Sequence, residues 1–400
     1  MRGAATAANL RAMSPALVLA GGICALVVGM GVGRFAYTPL LPSLQQAAGM
    51  GVHAAGLLAS INYVGYLAGA LGAAALPREW PRVMLFRGAL LVSIGATALM
   101  AVAPDPRLWA ASRLIAGVAS AAVLILSSEI VVRVLQRHGR PALVGVHFAG
   151  VGLGIALTGV VTALVGDRFG WAGGWIVLAA LSLALAPLCW KWVVAPETNK
   201  SEAAAKAAAM PTAWVPLISL AIAYFCEGAG YVVTGTFLVA IVKAMPALAD
   251  IAPWFWVAVG LAGAPSAVIW SWIGARIGLL AALVLAHLVQ AGGIVMPVLS
   301  DAPAIVLISA LLFGGTLIGI TALVVAYAGR MANAGRMIGA LTASFGFGQI
   351  IGPIVAGILA EGGRGFTLPL ILAAATVAIG GVLLGAGAAL GQSSLLKAPR

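Results

Sequence analysis

The chain has 400 residues, of which 62% are hydrophobic and only 8% charged, with a formal net charge of +12. Soluble domains carry roughly 25% charged residues, so a water-soluble globular fold is excluded. Apolar runs of about 20 residues, enough for a helix to cross the hydrocarbon core, recur in place of the roughly 10-residue alternating strands of a membrane barrel, and the chain reads as an all-α membrane protein.

Polar punctuation divides it into twelve candidate transmembrane helices at 15–38, 54–76, 83–103, 107–133, 141–165, 172–194, 213–242, 253–274, 278–299, 303–328, 336–360 and 367–390. Basic residues precede the first, "MRGAATAANLRAMSPALVLAGGICALVVG", as in a signal peptide. The apolar run nevertheless continues past about 20 residues with no convincing cleavage site, which predicts an uncleaved span. Its end, "GMGVGRFAYTPLLP", strands Arg34 in a stretch with no other charge. Between the sixth and seventh spans, "PETNKSEAAAKAAAMP" is the longest polar connection, with Glu202 and Lys206 in the favourable i, i+4 order for a short helix. This pattern predicts an N-terminal six-helix bundle over 1–195, a cytoplasmic linker over 196–212 and a C-terminal six-helix bundle over 213–400. Cys24, Cys189 and Cys226 all fall in apolar segments, so neither a disulfide framework nor a metal cluster is indicated, and no cofactor is implied.

Lysine and arginine set the orientation, because cytoplasmic loops retain positive charge. With the N-terminus inside, sixteen of the 22 basic residues lie in cytoplasmic segments and only Arg107, Arg168, Lys243 and Arg364 lie outside, while Arg34 and Arg113 fall within spans. Both termini are thus expected in the cytoplasm. The excess charge reads as an orientation signal and not as a nucleic-acid-binding surface. In the eighth span Trp254 and Trp256 are expected at the outer headgroups and Trp270 and Trp272 at the inner ones, about 27 Å apart at 1.5 Å per residue.

The two halves resemble each other. "GMGVGRFAYTPLLPSL" in the first span aligns with "CEGAGYVVTGTFLVAI" in the seventh, placing Gly31 on Gly228, Gly33 on Gly230 and Arg34 on Tyr231; "GVGLGIALTG" in the fifth aligns with "SFGFGQIIGP" in the eleventh, placing Gly152 on Gly346 and Gly154 on Gly348. Glycine matches carry little weight alone in a chain with 52 glycines, but two similar offsets in corresponding spans indicate a parallel six-plus-six repeat.

Together with "GVGRFAYTPLLP", "LLASINYVGYLAGAL", "HFAGVGLGIALTG" and "YFCEGAGYVVTGTFL", this resembles the major facilitator superfamily over the whole length, and within it the YbfB/YjiJ-like branch. "RLIAG" at Arg113 to Gly117 is similar to the superfamily's fourth-span pattern, whereas "GAAALPREWPR" and "GARIG" lack the acid of its loop signature. The resemblance implies two pseudo-symmetric six-helix bundles around a central cavity, transport by alternating access, and a monomer.

Ionisable side chains inside the bilayer cost roughly 2.5 to 3.5 kcal/mol each and normally face a bundle interior or a wet cavity. Arg34 either snorkels to the outer headgroups or is turned inward where Gly31, Gly33 and Pro39 let the helix deform. Arg113 should lie at similar depth, holding an anion or capping carbonyls. Glu227, at mid-membrane in the seventh span, is a candidate proton carrier, or else one half of a fixed ion pair. His147 could relay protons or bond substrate, though a lone histidine is often a satisfied core group. Asn62, Tyr63, Tyr66, Tyr224, Tyr231 and Gln349 are polar groups at plausible cavity depth, His287 is expected at a peripheral position, and Glu129 should pair with Arg133 at i+4.

These residues point to a secondary active transporter of a small organic solute in the inner membrane, with the lipid bilayer and a proton as its other partners. Glu227 would carry the proton, and Arg34 and Arg113 would hold either Glu227 or an anionic substrate group. A membrane sensor or assembly factor on the same scaffold is the alternative. Enzymatic activity is not expected, since no HExxH, GxSxG or phosphate-binding loop occurs.

Overall fold

The computed structural model describes residues 14–77, 80–166, 168–194, 214–331 and 333–396. Within these, twelve helices are long and apolar enough to cross a membrane. They are α1 (Pro15–Ala48), α2 (Val52–Ala75), α3 (Arg82–Leu99), α4 (Pro106–Arg137), α5 (Val144–Val165), α6 (Gly170–Trp192), α7 (Trp214–Lys243), α8 (Ala252–Ile277), α9 (Leu279–Leu299), α10 (Pro303–Ala328), α11 (Ala334–Ala360) and α12 (Thr367–Leu396). The expected linker helix around Glu202 and Lys206 lies outside the described residues. Local chemistry sets several boundaries. Ser14 and Asp105 accept hydrogen bonds from Ala16 N and Arg107 N at the starts of α1 and α4, each with proline at the first helical position, where its missing N–H costs nothing. Glu129 bonds Arg133 at 2.8 Å one turn on, as expected, and reaches Arg82 of α3 at 3.4 Å.

Two expectations need correcting. The first span does not stop near residue 38: α1 runs on to Ala48 and ends at Gly49 in the left-handed conformation (φ 59°). Nor do all four tryptophans of α8 anchor the headgroups. Trp254 and Trp272 are exposed, whereas Trp256 and Trp270 are buried and donate to Thr158 Oγ1 at 3.2 Å and to the Gly315 carbonyl at 2.8 Å. Residues two apart on a helix point to nearly opposite sides, so only one of each pair can face lipid.

The repeat is visible as matched contacts. A Cβ on Gly31 would collide with Gly154, joining α1 to α5, and one on Gly348 would collide with the backbone of α7 at Phe225 and press on Gly228, joining α11 to α7. These are the glycines that the alignment pairs. α1 and α7 lie back to back between the halves, where Thr38 Oγ1 donates to the Gly235 carbonyl. The bundles also meet along α2 and α11, through Ser60 Oγ to the Ile350 carbonyl at 2.7 Å, and along α5 and α8, where Gly152 packs directly against Gly260. On the face opposite the start of α1, here the far face, this seam is closed by His53 N donating to Glu361 Oε2 at 2.6 Å. Toward the near face the α2 stripe that packs on α11 through Gly56, Ser60 and Leu67 continues into exposed Leu71 and Ala74.

Candidate functional site

The axis between the halves is built on a deformed stretch of α1. From Val27 to Phe35 the helix is π-helical, a wide geometry that marks functional sites when it interrupts an α-helix. Gly29, Gly31 and Gly33 let its backbone approach α4, α5 and α3 closely, and Pro39 has no N–H to offer the Arg34 and Phe35 carbonyls. Arg34 is therefore turned inward, with 4% of its surface exposed, and does not snorkel. Its guanidinium carbon lies 4.1 Å from the ring centre of Tyr66, 4.9 Å from that of Tyr63 and 5.2 Å from that of Phe35, and Nη2 donates to Tyr231 Oη at 3.2 Å. Tyr231 also accepts a hydrogen bond from Gln349 Nε2 and stacks on Phe345, with centroids 5.5 Å apart. Since Arg34 and Tyr231 are equivalent in the repeat, their hydrogen bond lies on the pseudo-two-fold axis between the halves.

Arg113 is used differently. Both terminal nitrogens donate to the Arg34 carbonyl, at 3.3 and 3.4 Å, and its guanidinium carbon lies 4.6 Å from the ring centre of Tyr37. It grips the backbone of Arg34 itself. Asn62 supports the same unit by donating to the Arg113 carbonyl at 2.8 Å. No carboxylate among the described residues lies within ion-pair reach of Arg34 or Arg113. The expected alternative in which the arginines hold Glu227 is thus not what the structure contains. Glu227 is buried on the other side of Tyr231, beside Gln290 of α9.

His147 is not brought to this group. It is fully buried within the first bundle against Gly22 of α1, with Nε2 3.0 Å from Ser128 Oγ and Nδ1 without a hydrogen-bond partner. The structure therefore gathers Arg34, Tyr63, Tyr66, Tyr231 and Gln349, places Arg113 and Asn62 behind them, and separates Glu227 and His147.

The family described as "Uncharacterised MFS-type transporter YbfB" matches residues 26–385, nine-tenths of the length. The chain belongs to this family. This major facilitator protein is 29% identical over 174 residues to a gallate transporter of Pseudomonas putida, a match covering 42% of this chain and 37% of that one. It thus spans well under half the length of that curated relative. Among solved structures it superposes on the nucleoside transporter NupG (TM-score 0.70, 15% identity, 93% of this chain and 98% of that one) and on a D-xylose–proton symporter (TM-score 0.72, 14% identity, 92% and 96%). At such identities the likeness concerns the fold: an integral, multi-pass major facilitator architecture.

Sequence reasoning passed over three members of this surrounding. Tyr37 lies three residues beyond Arg34 and Phe345 four before Gln349, each at helical spacing from a residue already singled out, so that signal was available. Gln290 is a single amide in an apolar run, and nothing in the sequence points to its partner.

Proposed function

We propose that this protein is a proton-coupled secondary transporter of a small organic anion, most specifically an aromatic carboxylate, working by alternating access between two six-helix halves. One observation carries the reading: a buried arginine at the axis between the halves, bonded to the second half through Tyr231, has aromatic faces around it and no carboxylate among the described residues to neutralise it. Ring faces attract a cation by about 0.5 to 2 kcal/mol each, yet cancel none of its net charge. The missing counter-charge is what a substrate carboxylate supplies, and a planar ring attached to it would stack among Tyr63, Tyr66 and Phe345. The gallate transporter relative is consistent with that chemistry.

In this reading residues 1–195 and 213–400 are the two moving bodies, joined through 196–212, and Glu227 carries the coupled proton. The protein acts as a monomer in the inner membrane with both termini in the cytoplasm. The test is flux of labelled gallate and benzoate in proteoliposomes under an imposed pH gradient. Wild type should accumulate one of them in response to the gradient, Arg34→Ala should not transport, and Glu227→Gln should transport without responding to the gradient. An undiminished gradient response in Glu227→Gln would remove that residue from the mechanism, and unchanged flux in Arg34→Ala would overturn the substrate site.

A further inference from the structure

Glu227 has an unusual setting for a deep carboxyl. Its Oε2 lacks a hydrogen-bond partner, and Gln290 beside it is fully buried with both Oε1 and Nε2 unpaired. The titratable groups near it are Tyr224, Cys226 and Tyr231 of its own helix, while His287, three residues before Gln290 on α9, packs against Gly381 of α12. His287 Nδ1 donates to the Leu283 carbonyl at 2.7 Å, because a carbonyl can only accept. The neighbouring stretches of α11 and α12 contribute Phe345, Val377 and Gly380, none of them ionisable. Among the described residues no cation lies within ion-pair reach of the carboxyl.

The donor and acceptor inventory of the pair has one complete solution. An ionised carboxylate only accepts, which leaves Gln290 Oε1 buried beside a negative charge without a donor. A carboxylic acid supplies the missing O–H. It donates to Gln290 Oε1 while its own carbonyl accepts from Gln290 Nε2, and the orphaned atoms of both side chains are satisfied at once. The change is the addition of one proton, taken from water, to a Glu227 oxygen; no other bond changes.

Between this pair and Arg34 lies a wall of rings. Tyr224 stacks on Phe345 at 4.4 Å, and Phe345 on Tyr231 at 5.5 Å with planes 5° apart. We infer that Glu227 and Gln290 form a closed acid–amide proton site inside the second bundle, walled off from the Arg34 site, so that proton and anion are held together in separate compartments and do not exchange at a shared group. Tyr231, one turn beyond Glu227 on α7, bonds Arg34, so a shift of that helix acts on both compartments. The inference rests on the transport reading for its role in a cycle, but the site itself is testable without substrate.

The experiment is infrared difference spectroscopy of the full chain in lipid nanodiscs, stepped in pH, following the carbonyl stretch of protonated carboxyl groups. A band should titrate in wild type, be lost in Glu227→Gln, shift in frequency in Gln290→Leu and keep its wild-type frequency in Arg34→Lys. Should Gln290→Leu not fold, Gln290→Asn, which draws the amide back by one methylene, should produce the shift. Absence of a band assignable to Glu227, or an unshifted band in a folded Gln290 variant, would overturn the pair. A shift in Arg34→Lys equal to that in the Gln290 variant would overturn the separation. If the band behaves as stated while neither gallate nor benzoate is transported, the solute reading falls and the proton site stands.

Discussion

The centres of the two bundles are equivalent in the repeat and opposite in chemistry. In the first, Arg34 is pushed onto the axis by a π-helical turn and surrounded by ring faces, with its carbonyl held by Arg113. In the second, the equivalent position is Tyr231, and the acid one turn earlier, Glu227, occupies the position of apolar Met30 and is sealed among helices. The cation and the acid are not paired across the axis; a tyrosine hydroxyl stands between them. A scaffold that must be symmetric in its packing is therefore free to be asymmetric in its charge, because the glycine contacts that fix the helices and the side chains that fill the axis are different residues.

The largest expected effect comes from removing the first member of this contrast. Truncating one partner of a buried, hydrogen-bonded charge pair costs about 2 to 5 kcal/mol of binding, so Arg34→Ala should weaken an aromatic carboxylate by roughly 30-fold to several thousand-fold in titration calorimetry. Arg34→Lys, which keeps the charge and loses the planar fork, should fall between the two. Equal affinities in wild type and Arg34→Ala would erase the contrast. Packing should respond alike in both halves: Gly31→Ala and Gly348→Ala each force a methyl into a neighbouring backbone and should each cost about 1 to 3 kcal/mol, seen as lowered thermal unfolding in mild detergent. Gly72→Ala, with nothing within 4 Å of its added carbon, should be close to neutral. A collapse confined to one half would break the symmetry argument. Tyr231→Phe should have a smaller effect, about 1 kcal/mol on anion binding, because it removes the hydroxyl bridging Arg34 and Gln349 but keeps the stack on Phe345.

The twelve spans were legible because the hydrocarbon core imposes one length and one polarity on each of them. The further turns of α1 were not: Tyr37–Ala48 contains Pro39, Pro42, Ser43, Gln45 and Gln46, which read as a loop, and it packs as a helix against α7, α2 and α6. That Arg34 lies within a span was legible from its isolation, and the flanking glycines made an inward turn one of two readings. What Arg113 does was not, since the carbonyl it holds belongs to the backbone, which sequence does not distinguish. The pairing of Glu227 with Gln290 was hidden for a related reason. Which face α9 turns toward α7 is decided by contacts such as Gly381 on His287, between helices far apart in the chain.

The halves also differ at their rims. Glu361, at the far end of α11 in the second bundle, places Oε2 on His53 N, and a Cβ on Gly51 would collide with Oε1. The start of α2 has no side-chain cap of its own and no acid in its first turn, so a residue of the other half supplies the negative charge that a helix N-terminus favours. Helix caps are worth about 0.5 to 2 kcal/mol, which corresponds to roughly a 2- to 30-fold shift in an opening equilibrium. In the proposed cycle this bond joins the two halves that move, so any state open to the far face must break it, and its loss weighs on that equilibrium directly. Glu361→Ala should therefore enrich the longer distances between spin labels at Leu57 and Ile358, measured by double electron–electron resonance, with Glu361→Gln intermediate because its amide oxygen still accepts. A distance distribution identical to wild type in Glu361→Ala would mean that the apolar seam between α2 and α11 alone keeps the far face shut.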